Sequence, residues 1–408
     1  MIHNPRVLRI NSREEIEREL EEMGVDPSSI DSIFPKMLHF NLKLQDVDRK
    51  AANILREEMR QIGGDFASAP EAINHSVEST DVILSGNYHD FERLIEKVKD
   101  TAFGLDGLRD DIQEAIDNHY RDGFVVRCKK TDLKVSERTH IMGVINVTPD
   151  SFSDGGLFFD SDRAVAHGLQ LVDQGADIID IGGETTRPGS TPISAEAEIN
   201  RVIPVIERLA PRTAVPISVD TYKSVVAEKA IEAGAEIIND ISGLHFDPKM
   251  AEIAAHYDVP IVLMHIRGTP LNMQQNPFYK SLTGEIIEYL RESIEMGERA
   301  GVDPDKIIID PGIGFGKSLD EGHNLRIISK LSEFKSLGKP ILVGPSRKAF
   351  IGKILDCDVT EREEGTAAAV SAAILNGANI VRVHNVGMMK KVVKVVDAIK
   401  KSTSFEKT

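Results

Sequence analysis

The chain has 408 residues, 41% of them hydrophobic and 28% charged, with a formal net charge of −16. That composition suits a globular protein with a packed core, and the acidic balance argues against binding to nucleic-acid backbones or anionic membranes. No stretch approaches the run of about 20 apolar residues that a membrane span needs, and residues 1–9 lack the apolar core of a secretion signal. Two cysteines, Cys128 and Cys357, lie far apart and outside any metal-ligand spacing. Such usage suits a reducing, cytoplasmic setting.

Residues 1–125 read as a small α/β domain. Ser12 precedes a charged helical run over 13–23, with Glu15 placed as a capping-box partner. Residues 37–44 alternate like a half-buried strand. Residues 46–62 form an amphipathic helical pattern closed by Gly63-Gly64. A second strand is expected at 80–84, then helices over 90–99 and 106–119. His39, His75, His89 and His119 are scattered, and this domain shows no catalytic constellation.

From residue 126 onward a different rhythm takes over. Eight short apolar runs, at 141–146, 178–182, 216–220, 236–240, 260–265, 306–310, 340–344 and 378–384, each end on polar residues. Stretches long enough for one helix separate them, and Gly175, Gly234, Gly301, Gly338 and Gly377 follow the expected helix ends. The pattern predicts a (β/α)8 TIM barrel over 126–408, whose site collects at the C-terminal ends of the strands.

Those strand ends carry the chemistry. The first breaks at Asn146, an oxygen donor suited to Mg²⁺ or to a turn, into a loop containing Phe152 and Asp154. The second runs into Thr186, Arg187 and Pro188 behind two glycines. The third, fourth and sixth end in Asp220, Asn239-Asp240 and Asp310. Acceptors gathered inside a barrel are costly unless satisfied, either by salt bridges or by a flat heterocycle bearing several N–H donors. Met264 suits the apolar wall for such a ring, while His265 reads as supporting or core. Phe315, in the glycine-rich run after Asp310, is placed for a second aromatic substrate. Ser346 is expected to cap a helix starting near Arg347, making an anion-binding end, with Lys348 reaching a ring carbonyl. Arg382 and His384 share one face of the last strand and suit a phosphate as two cationic donors.

Seven motifs occur in order: MGVINVTPDSFSDGG, DIGGETTRPGS, SVDTYK, IINDISG, DPGIGFGK, GPSRK and VRVHNV. Together they resemble the dihydropteroate synthase family over about residues 139–399. The resemblance implies a transferase that joins 6-hydroxymethyl-7,8-dihydropterin diphosphate to 4-aminobenzoate and releases diphosphate. It implies that Asp220, Asn239, Asp310 and Lys348 hold the pterin. Asn146 would bind Mg²⁺ and diphosphate, with Arg382 and His384 on the diphosphate oxygens. Phe152, Asp154, Thr186, Arg187 and Pro188 would close over the site, and Ser346 and Phe315 would receive the aminobenzoate. A homodimer through outer helices is also implied. Ile313 departs from the aromatic residue that relatives often carry. Two other readings remain: a methyltetrahydrofolate-dependent corrinoid methyltransferase, and a non-catalytic pterin-binding module. The first has no evident use for Asn146, Arg382 and His384 as a diphosphate site, and the filled inventory of reacting-site residues argues against the second.

Overall fold

In the computed structural model the described residues are 3–73, 77–99, 105–148 and 157–402. They fall into two compact units. One precedes Arg121 and also takes in residues 400–402; the other spans Arg121–Ile399.

The first unit runs through α1 (Arg13–Glu22), α2 (Pro27–Met37), β1 (His39–Asp48), α3 (Arg49–Ile62), β2 (Asp65–Ser68), α4 (Pro70–Ile73), β3 (Ser79–Asn87), α5 (Tyr88–Lys99) and α6 (Asp106–Tyr120). β3 lies between β1 and β2, antiparallel to both. The Ser12 hydroxyl accepts from the Glu15 N–H, and the Glu15 carboxylate answers at the Asn11 N–H (2.7 Å), so α1 starts where the pattern places it. Asp48 rather than Asp46 starts α3, accepting from the N–H groups of Lys50 and Ala51, and Gly63 ends it at φ 95°. Asp46 instead takes φ 53° inside β1, where the register slips between Leu44 and Val47. The helices bury Leu55, Met59, Phe91 and Leu94 against Leu84, and Phe40 stacks on Phe91 with centroids 4.5 Å apart. The sequence pattern missed α2, where Asp26 caps Pro27 at the first turn and Pro35 interrupts the apolar period.

The second unit begins with an antiparallel hairpin, β4 (Val125–Arg127) and β5 (Asp132–Lys134). Then follow β6 (His140–Asn146), α7 (Leu157–Asp173), β7 (Ile178–Gly182), α8 (Ala195–Leu209), β8 (Ile217–Asp220), α9 (Ser224–Glu232), β9 (Ile237–Asp240), α10 (Lys249–Tyr257), β10 (Ile261–Met264) and α11 (Leu282–Arg299). The series closes with β11 (Ile307–Asp310), α12 (His323–Ser329), β12 (Leu342–Val343), α13 (Ala349–Leu355), α14 (Glu363–Leu375), β13 (Ile380–Val383) and α15 (Val386–Ser402).

The eight strands from β6 to β13 form one parallel sheet in the order β11-β10-β9-β8-β7-β6-β13-β12. A parallel bridge between Ile309 and Ile341 joins its two ends, so the sheet closes into the expected (β/α)8 barrel. The five glycines expected at helix ends all take positive φ. Two expectations change. The stretch between the sixth and seventh strands, long enough for one helix, instead divides into α12 and a 3-10 segment, Leu331–Leu337. The seventh strand keeps only two residues, set between Pro340 and Pro345, which offer no backbone N–H to a ladder.

The lower barrel is a dry plug. Met142, Ile178, Ile237, Val262, Ile308, Leu342 and Ile380 meet there and pack on Val126, Leu133 and Val135 from the hairpin. Among the described residues no helix is long and apolar enough to cross a membrane. Leu133 is 4% exposed at the plug, so Leu133→Ala is expected to destabilise the barrel by about 2–5 kcal/mol. Urea unfolding of the barrel followed by circular dichroism measures this; an unchanged midpoint would remove the hairpin from the core.

Candidate active site

A strand alternates with period two, so the residue two positions beyond each plug residue also points inward, one layer higher. Ile178 is followed in this way by Asp180, Ile237 by Asn239, Val262 by Met264, Ile308 by Asp310 and Ile380 by Arg382. Ser218 precedes Asp220 on β8 in the same phase. One more step reaches Asn146 on β6, Gly182 on β7 and His384 just past β13. The polar layer and its rim therefore stand directly on the plug.

Arg382 organises that layer. Its Nε donates to Asp180 Oδ2 at 2.7 Å, and Nη2 reaches both Asp180 Oδ2 and Asp220 Oδ2 at 2.6 Å. The same Asp180 oxygen accepts from Asn239 Nδ2 at 3.2 Å. That contact orients the Asn239 amide and leaves its carbonyl oxygen for other donors. Asp180 was not anticipated from the sequence. Its signal is an acid in the middle of the apolar strand Ile178–Gly182, at 0% exposure. Burial pushes the Asp220 carboxyl up to about 7, with Arg382 pulling the other way. Asp240 faces away from this group. Its carboxylate accepts from the N–H groups of Ser242 and Leu244 and the Ser242 hydroxyl, shaping the turn after β9.

Asp310 sits 5% exposed, its Oδ1 accepting from the Gly312 N–H at 2.8 Å. Burial raises its pKa to about 6, against the pull of that N–H and of Lys348 and Arg382. Lys348 follows β12; its Nζ lies 4.2 Å from the centroid of the Phe315 ring, a cation–π contact. Burial and Arg382 push Lys348 down to about 8, with Asp310 and Asp220 opposing. Met264 and Phe315 belong to one apolar cluster with Ile241, Ile266 and Met273, which walls one side of the layer. Ile313 is buried in the core between sheet and helices.

Three expectations about the rim change. Ser346 does not cap a helix: α13 starts at Ala349 with no side-chain cap, and Arg347 takes φ 57° before it. The Ser346 hydroxyl shares a hydrogen bond with His384 Nδ1 (3.0 Å) and accepts from the His384 N–H (3.3 Å). His384 is not a cation. Burial, then Arg382 and the other nearby cations, lowers its pKa to about 3. Arg382 is already engaged by two carboxylates, so a phosphate would meet a guanidinium whose charge is largely balanced. Sequence spacing places a charge on a face but does not reveal the counter-ion that reaches it from another strand.

The loop after β7 carries Thr186, half-buried, and Arg187 and Pro188, both exposed. Its base is tied down by residues the sequence reading did not single out. Glu184 accepts from the Tyr222 hydroxyl at 2.9 Å and pairs with Lys223, which also donates to Glu198 at 2.5 Å. Asn146 is half-buried at the rim. Phe152 and Asp154 lie outside the described residues. Among the described residues no cluster of three or more His, Cys, Asp or Glu is arranged to hold a metal by itself.

An interior of aligned acceptors, one amide and an ammonium above a dry plug is suited to a flat, hydrogen-bonding ring. Residues 142–384 match the family model described as "Pterin binding enzyme". The chain belongs to this pterin binding enzyme family. Among its relatives, the dihydropteroate synthase of Bacillus subtilis (strain 168) is 49% identical over 275 residues, covering 67% of this chain and 93% of that one. A Xanthomonas albilineans dihydropteroate synthase structure with 4-aminobenzoic acid superposes with a TM-score of 0.64 at 42% identity, covering 68% of this chain and 98% of that one. A longer protein of Halobacterium salinarum, named "Probable bifunctional folylpolyglutamate synthase/dihydropteroate synthase", is 37% identical over 400 residues, covering 97% of this chain and 47% of that protein. This third match runs through the N-terminal unit as well, which the pterin binding model leaves out.

His384 gives a direct check on the site. With a pKa lowered from 6.5 to about 3, its ring is expected to show no titration between pH 5 and 8 by NMR. As pH falls below 6.5 the unfolded chain takes up a proton that the folded ring refuses, so this contribution is lost progressively toward about pH 3. An inflection near 6.5 in the folded protein would contradict the buried, neutral assignment.

Proposed function

We infer that this pterin binding enzyme is a dihydropteroate synthase. It condenses 6-hydroxymethyl-7,8-dihydropterin diphosphate with 4-aminobenzoate, giving 7,8-dihydropteroate and diphosphate. The observation that carries the reading is the interior layer, in which Asp220, Asn239 and Asp310 converge with Lys348 and Arg382 inside one barrel mouth. An aminopyrimidine edge presents N–H donors to such carboxylates, and a ring carbonyl suits the ammonium.

The reaction breaks a C–O bond at a CH₂ attached to an electron-rich ring. Departure of diphosphate can run ahead of attack, because the positive charge spreads into the pterin. Asp220 and Asp310 stabilise that charge electrostatically in a site shielded from water. The amine of 4-aminobenzoate is neutral at pH 7 and needs no strong base. Its lone pair forms the new C–N bond, and the proton then leaves the nitrogen. Thr186, Arg187 and Pro188, with Phe152 and Asp154, are assigned to closing over the leaving group and the amine. His384 and Ser346 are assigned to the diphosphate and aminobenzoate ends, through hydrogen bonds rather than a fixed charge on the ring.

Asn146 offers one neutral oxygen at the rim, which fits Mg²⁺, an ion that keeps several waters and takes ligands from substrate phosphates. When bound, the ion shields the diphosphate charge. We assign the chain to the cytoplasm, which its two free cysteines suit. We also assign it a homodimer contact on the face of α12, α13 and α14. An apolar groove lined by Leu325, Ile328, Ile351 and Ala369 lies there, with Ile354 58% and Leu375 54% exposed beside it.

A coupled assay for released diphosphate, with and without 4-aminobenzoate, tests the reaction. Release that depends on 4-aminobenzoate supports it. A corrinoid methyltransferase would give no diphosphate, and a non-catalytic module would bind the pterin without turnover. Asp310→Ala is expected to lower kcat/KM by about a hundredfold; full turnover would remove Asp310 from the pterin contacts. The pH profile of kcat/KM for the pterin substrate is expected to be bell-shaped. It should fall on the acid side as Asp310 and Asp220 take up protons near 6 and 7, and on the basic side as Lys348 loses its proton near 8. A flat profile across this range would contradict those assignments.

A further inference from the structure

The loop after β11, residues 311–317, is packed against its neighbours with no room for a side chain at two glycines and little at a third. Gly312, Gly314 and Gly316 take φ of 73°, 85° and 62°. A Cβ on Gly312 would lie 1.9 Å from the carbonyl oxygen of His265, and one on Gly316 would lie 2.6 Å from that of Arg267. The loop thus rests on the backbone that follows β10. A Cβ on Gly314 would meet the Lys348 side chain at 3.0 Å.

Beneath this loop lies Lys317, at 0% exposure. Its Nζ donates to the carbonyl oxygens of Gly312 (3.2 Å) and Phe315 (2.9 Å) and lies 2.8 Å from His265 Nδ1. A protonated lysine has three donors and no acceptor, and three polar atoms surround it. Burial holds the pKa of Lys317 well below the ordinary lysine value, with Asp310 pulling the other way. If the amine is neutral, it still donates to both carbonyls and accepts from the imidazole N–H. In either state one side chain ties both ends of the loop to the end of β10.

Both tied residues lead into the pterin layer. Gly312, whose carbonyl is tied, also supplies from its preceding peptide the N–H that Asp310 Oδ1 accepts at 2.8 Å. The Phe315 residue supplies the ring over which Lys348 sits, 4.2 Å from its centroid. Other contacts also secure the loop. The Tyr279 hydroxyl donates to the Gly316 carbonyl and Gln274 to the Gly314 carbonyl, both at 2.8 Å, and the Gly314 N–H donates to Asn324 at 2.7 Å. The loop therefore keeps several anchors without Lys317, but loses the one that reaches under Gly312 and Phe315.

We propose that Lys317, paired with His265, is a positioning residue for the pterin subsite: it sets the loop so that Asp310, Phe315 and Lys348 converge on one ring. The proposal rests on reading the barrel mouth as a pterin diphosphate site. Its test is therefore binding rather than turnover, with wild-type turnover measured alongside. Fluorescence titration of 6-hydroxymethyl-7,8-dihydropterin diphosphate into wild type and Lys317→Met is expected to show a Kd raised about tenfold or more. His265→Leu is expected to show the same loss. His265→Asn, which keeps a polar atom near the Nδ1 position, is expected to recover most of the affinity. Circular dichroism first establishes that each variant is fully folded under the titration conditions, so that a partial loss of stability does not enter the measured Kd. Wild-type Kd in folded Lys317→Met overturns the proposal. Where that variant does not fold, equal Kd values for His265→Leu and His265→Asn overturn it. Absence of product in wild type, with pterin binding intact, would count against the transferase reading and leave this test in force.

Discussion

A two-residue repeat in a closed parallel sheet places nearly every group of the site. Ile178 belongs to the plug and Asp180 to the layer above; Ile380 and Arg382 do the same on β13, and Ile308 and Asp310 on β11. Slipping any of these strands by one residue would send its charged side chain into the helix–sheet core and a branched apolar chain into the mouth. The parallel bridge between Ile309 and Ile341 completes the ring that holds this phase. The hairpin β4–β5 supports it from below, so the polar layer has a rigid base on which to be placed.

Within that frame the charges are arranged at some cost to stability. Asp180 is fully buried, and its Oδ1 has no hydrogen-bond partner among the described residues, nor does the hydroxyl of Ser218 opposite it on β8. Raised carboxyl pKa values at Asp220 and Asp310 report the same condition: acceptors held in a low-dielectric setting with too few donors. Arg382 offsets part of this by joining two acids across the barrel. A ring bearing N–H donors would offset more, and that difference between empty and filled states is a source of selectivity.

The barrel was legible in the sequence because its signal is repeated eight times, with glycines marking helix ends such as Gly175 and Gly377. The N-terminal sheet was legible only in part. The helical pattern begins at residue 46, and only the folded chain shows that Asp46 takes a left-handed conformation within β1 while Asp48 caps the helix. For the site, the residues at strand ends were visible, while their partners were not. Asp180 reads as one polar residue in an apolar strand, and its bond to Arg382 spans 202 positions. Ser346 looked like a cap because a helix follows, yet its hydroxyl turns to His384, 38 residues away. Local pattern predicts position and facing; it carries little information about which distant group answers a given donor.

The plugged base has one more consequence. With the lower barrel filled by Val126, Leu133 and the ring of apolar residues around them, the described residues leave the interior open toward the C-terminal ends of the strands. Whatever lies deepest must enter first, and a later arrival traps it. For the reaction proposed above, a ring seated on the polar layer would have to enter before a partner held at the rim, and the joined product would leave by the same end of the barrel.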